Sequence, residues 1–512
     1  MALAWLHKGN HTLRVFKLDF KFYQKTIMRK KLFSIVISGL MLAGSVSCNK
    51  ILEVEPVTSL PPNVALGTKL GLQAQLNGVY AGLKNGNYYG RDFVAATELM
   101  ADNMKRVDPA TQSGRGSGYD VNSPNYHVNI WANGFKTIND ANIVISYVDG
   151  VADATEAEKA SMKAQALFLR AVVYFDLAKS YGYNPGHQVA NFALGVPVLT
   201  TPVDDVTKIT YPERNTVQEC FEQVERDLLE SITQFGITGV NASAGEPYRG
   251  TRGAAQALLS RLYLYWGSAK LPDAVTQATA AIASGIAVFQ PTASYVSMWT
   301  LAAKPESFFE VRFATFAEAI STPDNNSIQA WYQQQRTATG GNLGWGDVVI
   351  ADNFMTQLEA GDIRAGVIIP YTRANGQLVN QTNKFQGTNG SFGWSDVPVI
   401  RISEMYLNRA EAYAYQGAAF EAQAQADLNM IRNRAGLPSI TPTGQALIDA
   451  ILKERRIELA FEGQRFFDLT RLGKDIPKET VSPILFTDYR ILPPLPVADL
   501  QVNKNLIPNP GY

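Results

Sequence analysis

Histidine and cysteine are almost missing from this chain. Its 512 residues include four histidines, His7, His11, His127 and His187, and two cysteines, Cys48 and Cys220. So few imidazoles and thiols exclude a cysteine-based zinc site, a His-Glu-x-x-His metalloprotease and a disulfide-stapled scaffold. Charge is also scarce, at 18% of residues, and it sums to zero. That zero hides an asymmetry. Residues 1–47 hold eight Lys/Arg and one acidic residue, Asp19, which leaves 38 basic against 45 acidic residues in the remainder, net −7. A surface of that sign has no general attraction for nucleic acid phosphates. No stretch reaches 18 uninterrupted apolar residues, the length a spanning helix needs. Chemical motifs are missing too. GRGSG (114–118) lacks the Lys-Ser/Thr ending and following helix of a phosphate loop, and no histidine is tied to its serine as a nucleophile elbow requires. No cofactor and no metal is assigned. Oxygen donors in DNMKRVDPATQSG (102–114) and PDNNS (323–327) lack the spacing of a calcium loop, and a structural calcium stays open.

What is abundant is helical periodicity. Apolar residues make up 46% of the chain, enough for a large core. Their spacing predicts helices over 66–84, 91–105, 128–148, 155–181, 215–235, 251–268, 271–284, 401–416, 419–435 and 444–462. Short strands are predicted at 196–199, 307–313, 366–370, 397–400 and 490–494. Three segments look alike: AQALFLRAVVYFDLAKSYG (164–182), AQALLSRLYLYWGSAKLPDAVTQATAAIASG (255–285) and EMYLNRAEAYAYQGAAFEAQAQADLNMIRNRAG (404–436). Each sets small residues, an arginine and aromatics at helical spacing. In the last two, Gly267 and Gly417 end the first helix and a second begins a few residues on. That resembles the tetratricopeptide helix pair. The copies are unevenly spaced, which predicts a mainly α scaffold of helical pairs broken by long loop-rich insertions. In 454–474, opposite charges three or four apart are expected to pair on helix surfaces. Cys220, in a helical pattern, is expected to be a small buried residue.

The N-terminus reads as an address. From Met28 runs MRKKLFSIVISGLMLAGSVSC: basic residues Arg29, Lys30 and Lys31, an apolar run from Leu32 to Ala43, small residues, then Cys48. This is the anatomy of a secretory signal peptide. A cysteine straight after Ser45-Val46-Ser47 resembles a bacterial lipoprotein box, with Ser45 where Leu is usual, as in the relaxed boxes of Bacteroidetes lipoproteins. Cys48 is then the expected lipidation site and Met28 the expected start. Residues 1–47 fall outside the fold, and the membrane is reached through a lipid anchor alone.

Four motifs carry a resemblance to one family. They are YRGTRGAAQALLSRLYLY (248–265), RISEMYLNRAEAYA (401–414), ERRIELAFEGQRFFDLTRLGK (454–474) and the closing ILPPLPVADLQVNKNLIPNPGY (491–512). Together, in this order, they resemble the SusD/RagB proteins. Gln464 stands where that family often has His, and Phe466 where it often has Trp. The resemblance divides the chain into an N-terminal SusD-like helical region, 48–240, and a C-terminal SusD/RagB region, 241–512, with a loop-rich insertion at 285–400. It implies a surface-exposed outer-membrane lipoprotein that binds oligosaccharides, or sometimes peptides, for nutrient uptake. It also implies a partner: a TonB-dependent barrel of the SusC type, on which such proteins sit as lids. The site in such proteins is built from loops after the early helices and from the mid-chain insertion.

The loops here supply matching chemistry. Sugars present C–H faces that suit flat aromatics and hydroxyls that suit carboxylates, amides and arginine. The expected ligand-binding residues are Tyr88, Tyr89, Asp102, Asn103, Tyr119, Trp331, Trp345 and Trp394. Asn87, Arg91, Tyr332, Asp347 and Phe392 stand beside them in sequence. The alternative for each aromatic is a small core beneath a loop. Arg249, Arg252, Arg261 and Arg409 are expected to satisfy helix ends or carboxylates. Two other functions compete with binding. A polysaccharide hydrolase needs paired carboxylates, for which Glu98 and Asp102 are the pair nearest the loops. A helical scaffold that only recruits proteins needs no ligand. With no catalytic constellation in sight, no enzymatic activity is expected.

Overall fold

A computed structural model of the chain describes residues 66–107, 116–237, 247–319, 327–336 and 342–512. Residues 62–512 form one compact unit. Met28 and Cys48 lie outside the described residues.

Helix starts follow local chemistry. Thr155 and Thr216 each accept a bond from the backbone three residues on, while Glu158 and Glu219 reach back to the cap, forming two capping boxes. Those boxes open the long helices predicted at 155–181 and 215–235. The principal helices are α1 (Lys69–Gly82), α2 (Asp92–Met100), α3 (Trp131–Tyr147), α4 (Glu156–Tyr181), α5 (Val217–Phe235), α6 (Arg252–Trp266), α7 (Leu271–Ala283), α8 (Ile402–Tyr415), α9 (Glu421–Arg434), α10 (Gly444–Glu458) and α11 (Arg465–Arg471). Apart from α2 and α11, each packs on the next in chain order, α1 on α3 and so on to α9 on α10. The fold is therefore mainly helical and solenoid-like, as the sequence repeats predict. Gly267 and Gly417 have φ of +97° and +95°, a region that favours glycine, and each leads through a short 3-10 turn into the second helix of its pair.

Among the described residues there are four sheets, each two-stranded and antiparallel. β1 (Met104–Arg106) pairs with β5 (Val348–Ile350), and β2 (Ser307–Val311) with β8 (Val397–Arg401). β3 (Gln335–Arg336) pairs with β4 (Asn342–Leu343), and β6 (Ile368–Thr372) with β7 (Leu378–Thr382). Two expected strands do not form. At 196–199 side chains replace a neighbouring strand: Asn215 Oδ1 accepts from Val198 N at 2.9 Å, and the Tyr174 hydroxyl from Leu199 N at 2.6 Å. At 490–494 a 3-10 turn over Tyr489–Ile491, capped by Asp488, leads into two prolines that donate nothing. The helix expected over 91–105 stops at Met100, and 104–106 becomes β1. The helix expected over 444–462 stops at Glu458, and Phe461 and Gly463 take φ of +71° and +79°.

The charges of 454–474 overturn the expectation of surface pairing. Glu454, Arg455, Glu458, Asp468 and Arg471 are buried, and most of their partners are far away in sequence. Arg401 meets Glu306 and Glu462 at 2.7 Å and Glu458 at 3.1 Å. Arg434 bridges Glu306 at 2.8 Å and Glu458 at 2.6 Å. Burial alone would raise the Glu458 carboxyl, but the charges of Arg434, Arg401 and Arg364 hold it far below the ordinary range. Removing one partner from such a lattice strands a buried charge.

Candidate functional site

One short helix gathers the loops. Ser327 caps the segment Ile328–Tyr332, accepting from Ala330 N at 3.2 Å. Two tryptophan loops dock on it. In GNLGWGD (341–347), Trp345 N and Gly346 N both donate to the Ala330 carbonyl, at 2.6 and 3.0 Å. Gly344 has φ +73°, and a Cβ there would lie 2.3 Å from the Gln333 carbonyl oxygen and 2.8 Å from Phe392 Cζ, so glycine is needed twice over. In SFGWSD (391–396), Gly393 N donates to Gln329 Oε1 at 2.6 Å, and Trp394 Nε1 donates to the Phe313 carbonyl at 2.6 Å. Trp345, Phe392 and Trp394 stay partly exposed around this helix. The first loop cluster reaches the same helix. Tyr119 stands edge-on to Trp331 at 5.6 Å, and Tyr126, 37% exposed, stands edge-on to Tyr119 at 5.6 Å. The Arg91 guanidinium lies 5.4 Å from the Trp331 ring centre. The loops of 85–127 and 325–396 thus converge on a single surface.

Not every expected residue is on that surface. Tyr88 and Tyr89 are buried and share Asp176, donating to its Oδ2 at 2.5 and 2.8 Å. Burial, then the charge of Asp176, pushes both phenols well above their usual value. Trp331 and Tyr332 are buried in full and Tyr119 nearly so, acting as the floor beneath the exposed rings. Asp102 is buried with Arg465 at 2.6 Å and Arg456 at 3.2 Å. Burial would raise its carboxyl, and Arg465 and Arg456 hold it below the ordinary range. Asn103 donates to Glu98 at 2.9 Å and accepts from Arg456 Nε at 2.9 Å. Glu98 itself accepts from Gly463 N at 2.9 Å and Gln464 N at 3.1 Å, fixing the turn after α10. The Glu98–Asp102 pair is thus committed to the scaffold. Of the eight expected residues, six are buried, and Trp345 and Trp394 are half-buried, packed against the core and still partly exposed.

Beside the aromatic surface lies a cleft of about 390 Å³ between the end of α1, the segment before α6 and the exit of β2. Tyr80, Tyr248, Arg249 and Arg312 line it. Arg312 stacks 4.4 Å from the Tyr248 ring centre, and Arg249 stacks 4.6 Å from that of Tyr80. Arg261 and Arg409 do meet carboxylates, Glu404 and Asp427, as expected; among the described residues Arg249 does not. Tyr80 lies on a face of α1, where an aromatic reads as core, and Tyr248 and Arg312 lie outside both loop clusters, so none of the three stands out in the sequence. The signal available was Tyr248-Arg249 immediately before a helix cap. Among the described residues no group of three or more His, Cys, Asp or Glu side chains could hold a metal. Cys220 is a buried free thiol whose Sγ donates to the Val196 carbonyl at 3.3 Å.

Comparison with known proteins decides the family. A model of the SusD family matches residues 369–512, and one described as starch-binding and associating with the outer membrane matches residues 50–264. The chain belongs to the SusD/RagB family. As a SusD/RagB protein it is 25% identical to SusD-like protein P2 of Formosa agariphila over 541 residues, covering 95% of this chain and all of that one. Over 128 residues, 23% of this chain and 22% of the relative, it is 34% identical to the starch-binding protein SusD of Bacteroides thetaiotaomicron. Among solved structures, a SusD superfamily protein of Bacteroides thetaiotaomicron superposes with a TM-score of 0.75 at 26% identity, covering 86% of this chain and all of the other. A laminarin-binding SusD-like protein superposes with a TM-score of 0.68 at 23% identity, covering 87% of this chain and all of the other, a likeness of fold.

Proposed function

We propose that this protein captures oligosaccharides at the outer surface of the outer membrane and delivers them to a SusC-like TonB-dependent transporter, without altering them. The observation that carries the binding role is the docking of both tryptophan loops on Ile328–Tyr332, which presents Trp345, Phe392 and Trp394 together. Rigid aromatic faces held by a buried floor suit the C–H faces of sugar rings. The names of relatives support the same ligand class: a starch-binding protein and a laminarin-binding protein. Peptide ligands are the second class the family resemblance allows. The commitment of Glu98 and Asp102 to backbone and arginine supports a role without hydrolysis.

The anchor is proposed at Cys48, with translation from Met28. No helix among the described residues is long and apolar enough to cross a membrane, which accords with attachment through lipid. Mass spectrometry of the native N-terminal peptide tests both points: an acylated Cys48 peptide supports the anchor, and any peptide from upstream of Met28 rules out that start. Binding is tested by titrating an oligosaccharide panel into the purified protein. Saturable binding without release of new reducing ends supports the proposal, and no binding to any glycan refutes it.

A further inference from the structure

The cleft beside Trp394 holds two arginines set over tyrosine rings. Several buried arginines are matched to carboxylates, Arg261 to Glu404, Arg170 to Asp227 and Arg471 to Glu411, whereas buried Arg214 is spent on backbone carbonyls and Asn509. Arg249 and Arg312 line the cleft and form no ion pair among the described residues, and each guanidinium lies over a tyrosine ring instead. A ring fixes one face of the guanidinium and leaves its in-plane fork of N–H donors, which fits a planar or tetrahedral oxyanion. The Tyr80 ring beneath Arg249 is held in place by its hydroxyl, which donates to Gln165 Oε1 at 2.8 Å and accepts from Gly250 N at 2.8 Å. The third cation of the cleft, Lys84, is paired with Glu318 at 2.9 Å.

Glu318 is spent on Lys84 and on Ala314 N, and two further acids near the cleft, Glu310 and Asp396, are buried. Glu310 forms part of its wall, fully buried, accepting from Ser307 Oγ at 2.6 Å and Lys304 N at 2.9 Å. Burial pushes its carboxyl up to about 7, so much of its charge is gone at neutral pH. Asp396, behind Tyr248, accepts from Phe313 N at 2.7 Å and is likewise raised by burial. The cleft also adjoins the aromatic surface directly. Phe313, which follows Arg312 in the chain, is the residue whose carbonyl holds the Trp394 indole.

We propose that this cleft is a subsite for an acidic sugar, whose carboxylate or sulfate ester is bound by Arg249 and Arg312. The inference rests on the glycan-binding reading and adds a substrate class to it. Three probes separate the outcomes by calorimetry on the purified protein: an oligogalacturonate, a sulfated galactan oligosaccharide and a neutral β-glucan oligosaccharide. At least one acidic probe is expected to bind at least tenfold tighter than the neutral one, with an advantage that shrinks as salt rises. Which acidic probe does so identifies carboxylate or sulfate as the anion. R249Q/R312Q is expected to cut the ratio of acidic to neutral affinity at least tenfold, with an unchanged thermal midpoint showing that the fold is intact. The inference falls if the neutral probe binds as tightly as both acidic ones, or if R249Q/R312Q keeps the full acidic preference. Those results leave glycan binding standing; failure of every probe to bind overturns both readings together.

Discussion

The guanidinium of Arg261 grips the carboxylate of Glu404 through two bonds, Nε to Oε1 at 2.6 Å and Nη2 to Oε2 at 2.5 Å, joining α6 to α8 across 143 residues of sequence. Both side chains are buried, and Arg455 approaches the same carboxylate at 3.7 Å. The repeats thus carry arginines that lock one helical pair to another. Arg261→Ala is expected to destabilise the fold by about 3–5 kcal/mol, because it leaves Glu404 buried without its main partner. Denaturant unfolding measures this. A loss under 1 kcal/mol would show that the pair contributes little.

The half-buried tryptophans are expected to carry ligand affinity. Trp345→Ala should weaken oligosaccharide binding by about tenfold or more, some 1.4 kcal/mol, with a smaller cost in stability from its lost packing on the core. Trp394→Ala should do the same at a larger cost in stability, because its indole also bonds the Phe313 carbonyl. Calorimetry alongside thermal melts separates the two effects. Trp331→Ala, by contrast, should chiefly destabilise, since that ring is fully buried.

Glu310 makes stability fall as pH rises. Its folded value of about 7 exceeds the usual 4.5, so between those values the folded state holds more protons than the unfolded one. The stabilisation is complete below about 4.5 and lost as pH rises through 7, by up to about 1.4 kcal/mol per pH unit. Glu310→Gln keeps an oxygen for Ser307 and Lys304 and should remove this slope. Melting both proteins from pH 5 to 8 tests it: the variant should gain on the wild type as pH rises.

His127 acts at the acid end. Burial lowers its imidazole from 6.5 to about 4, while Nε2 bonds the Arg490 carbonyl at 3.0 Å and Nδ1 accepts from Val128 N at 2.8 Å. The unfolded chain takes up a proton first, so stability should decline as pH falls from 6.5 to 4. His127→Gln should flatten that decline in the same melting series.

Two glycines should respond in opposite directions. Gly267 and Gly78 both have open space where a Cβ would go, but Gly267 has φ +97° and Gly78 lies within α1. Gly267→Ala should cost about 1–3 kcal/mol through backbone strain, and Gly78→Ala should gain about 0.5–1 kcal/mol. Denaturant midpoints read both.

The helical frame is legible because its signals are local. Thr155 with Glu158, and Thr216 with Glu219, mark helix starts within four residues, and Gly267 and Gly417 mark paired stops. The interior charges are not local. Alternating apolar and charged residues over 454–474 look like an ordinary surface helix, and nothing nearby announces that Glu458 meets Arg401, 57 residues away. The strand pair β1–β5 is three residues long, too short to show a period of two. Within the loops, a tyrosine that binds ligand and one that fills a core share the same neighbours in sequence. Trp345 and Trp394 stand out only after folding, because flanking glycines let their loops close on one helix. Tyr88 and Tyr89 sit in a similar glycine-rich setting, yet Asp176 draws both inward.

Capture without cleavage is the central claim, and one titration tests it most directly. Purified protein is titrated with starch, laminarin, uronate and sulfated oligosaccharides, and each mixture is then assayed for reducing ends. The account predicts saturable heat with at least one glycan, weakened by Trp345→Ala and Trp394→Ala, and an oligosaccharide recovered intact. Newly formed reducing ends, abolished by a single Asp or Glu substitution, would contradict it.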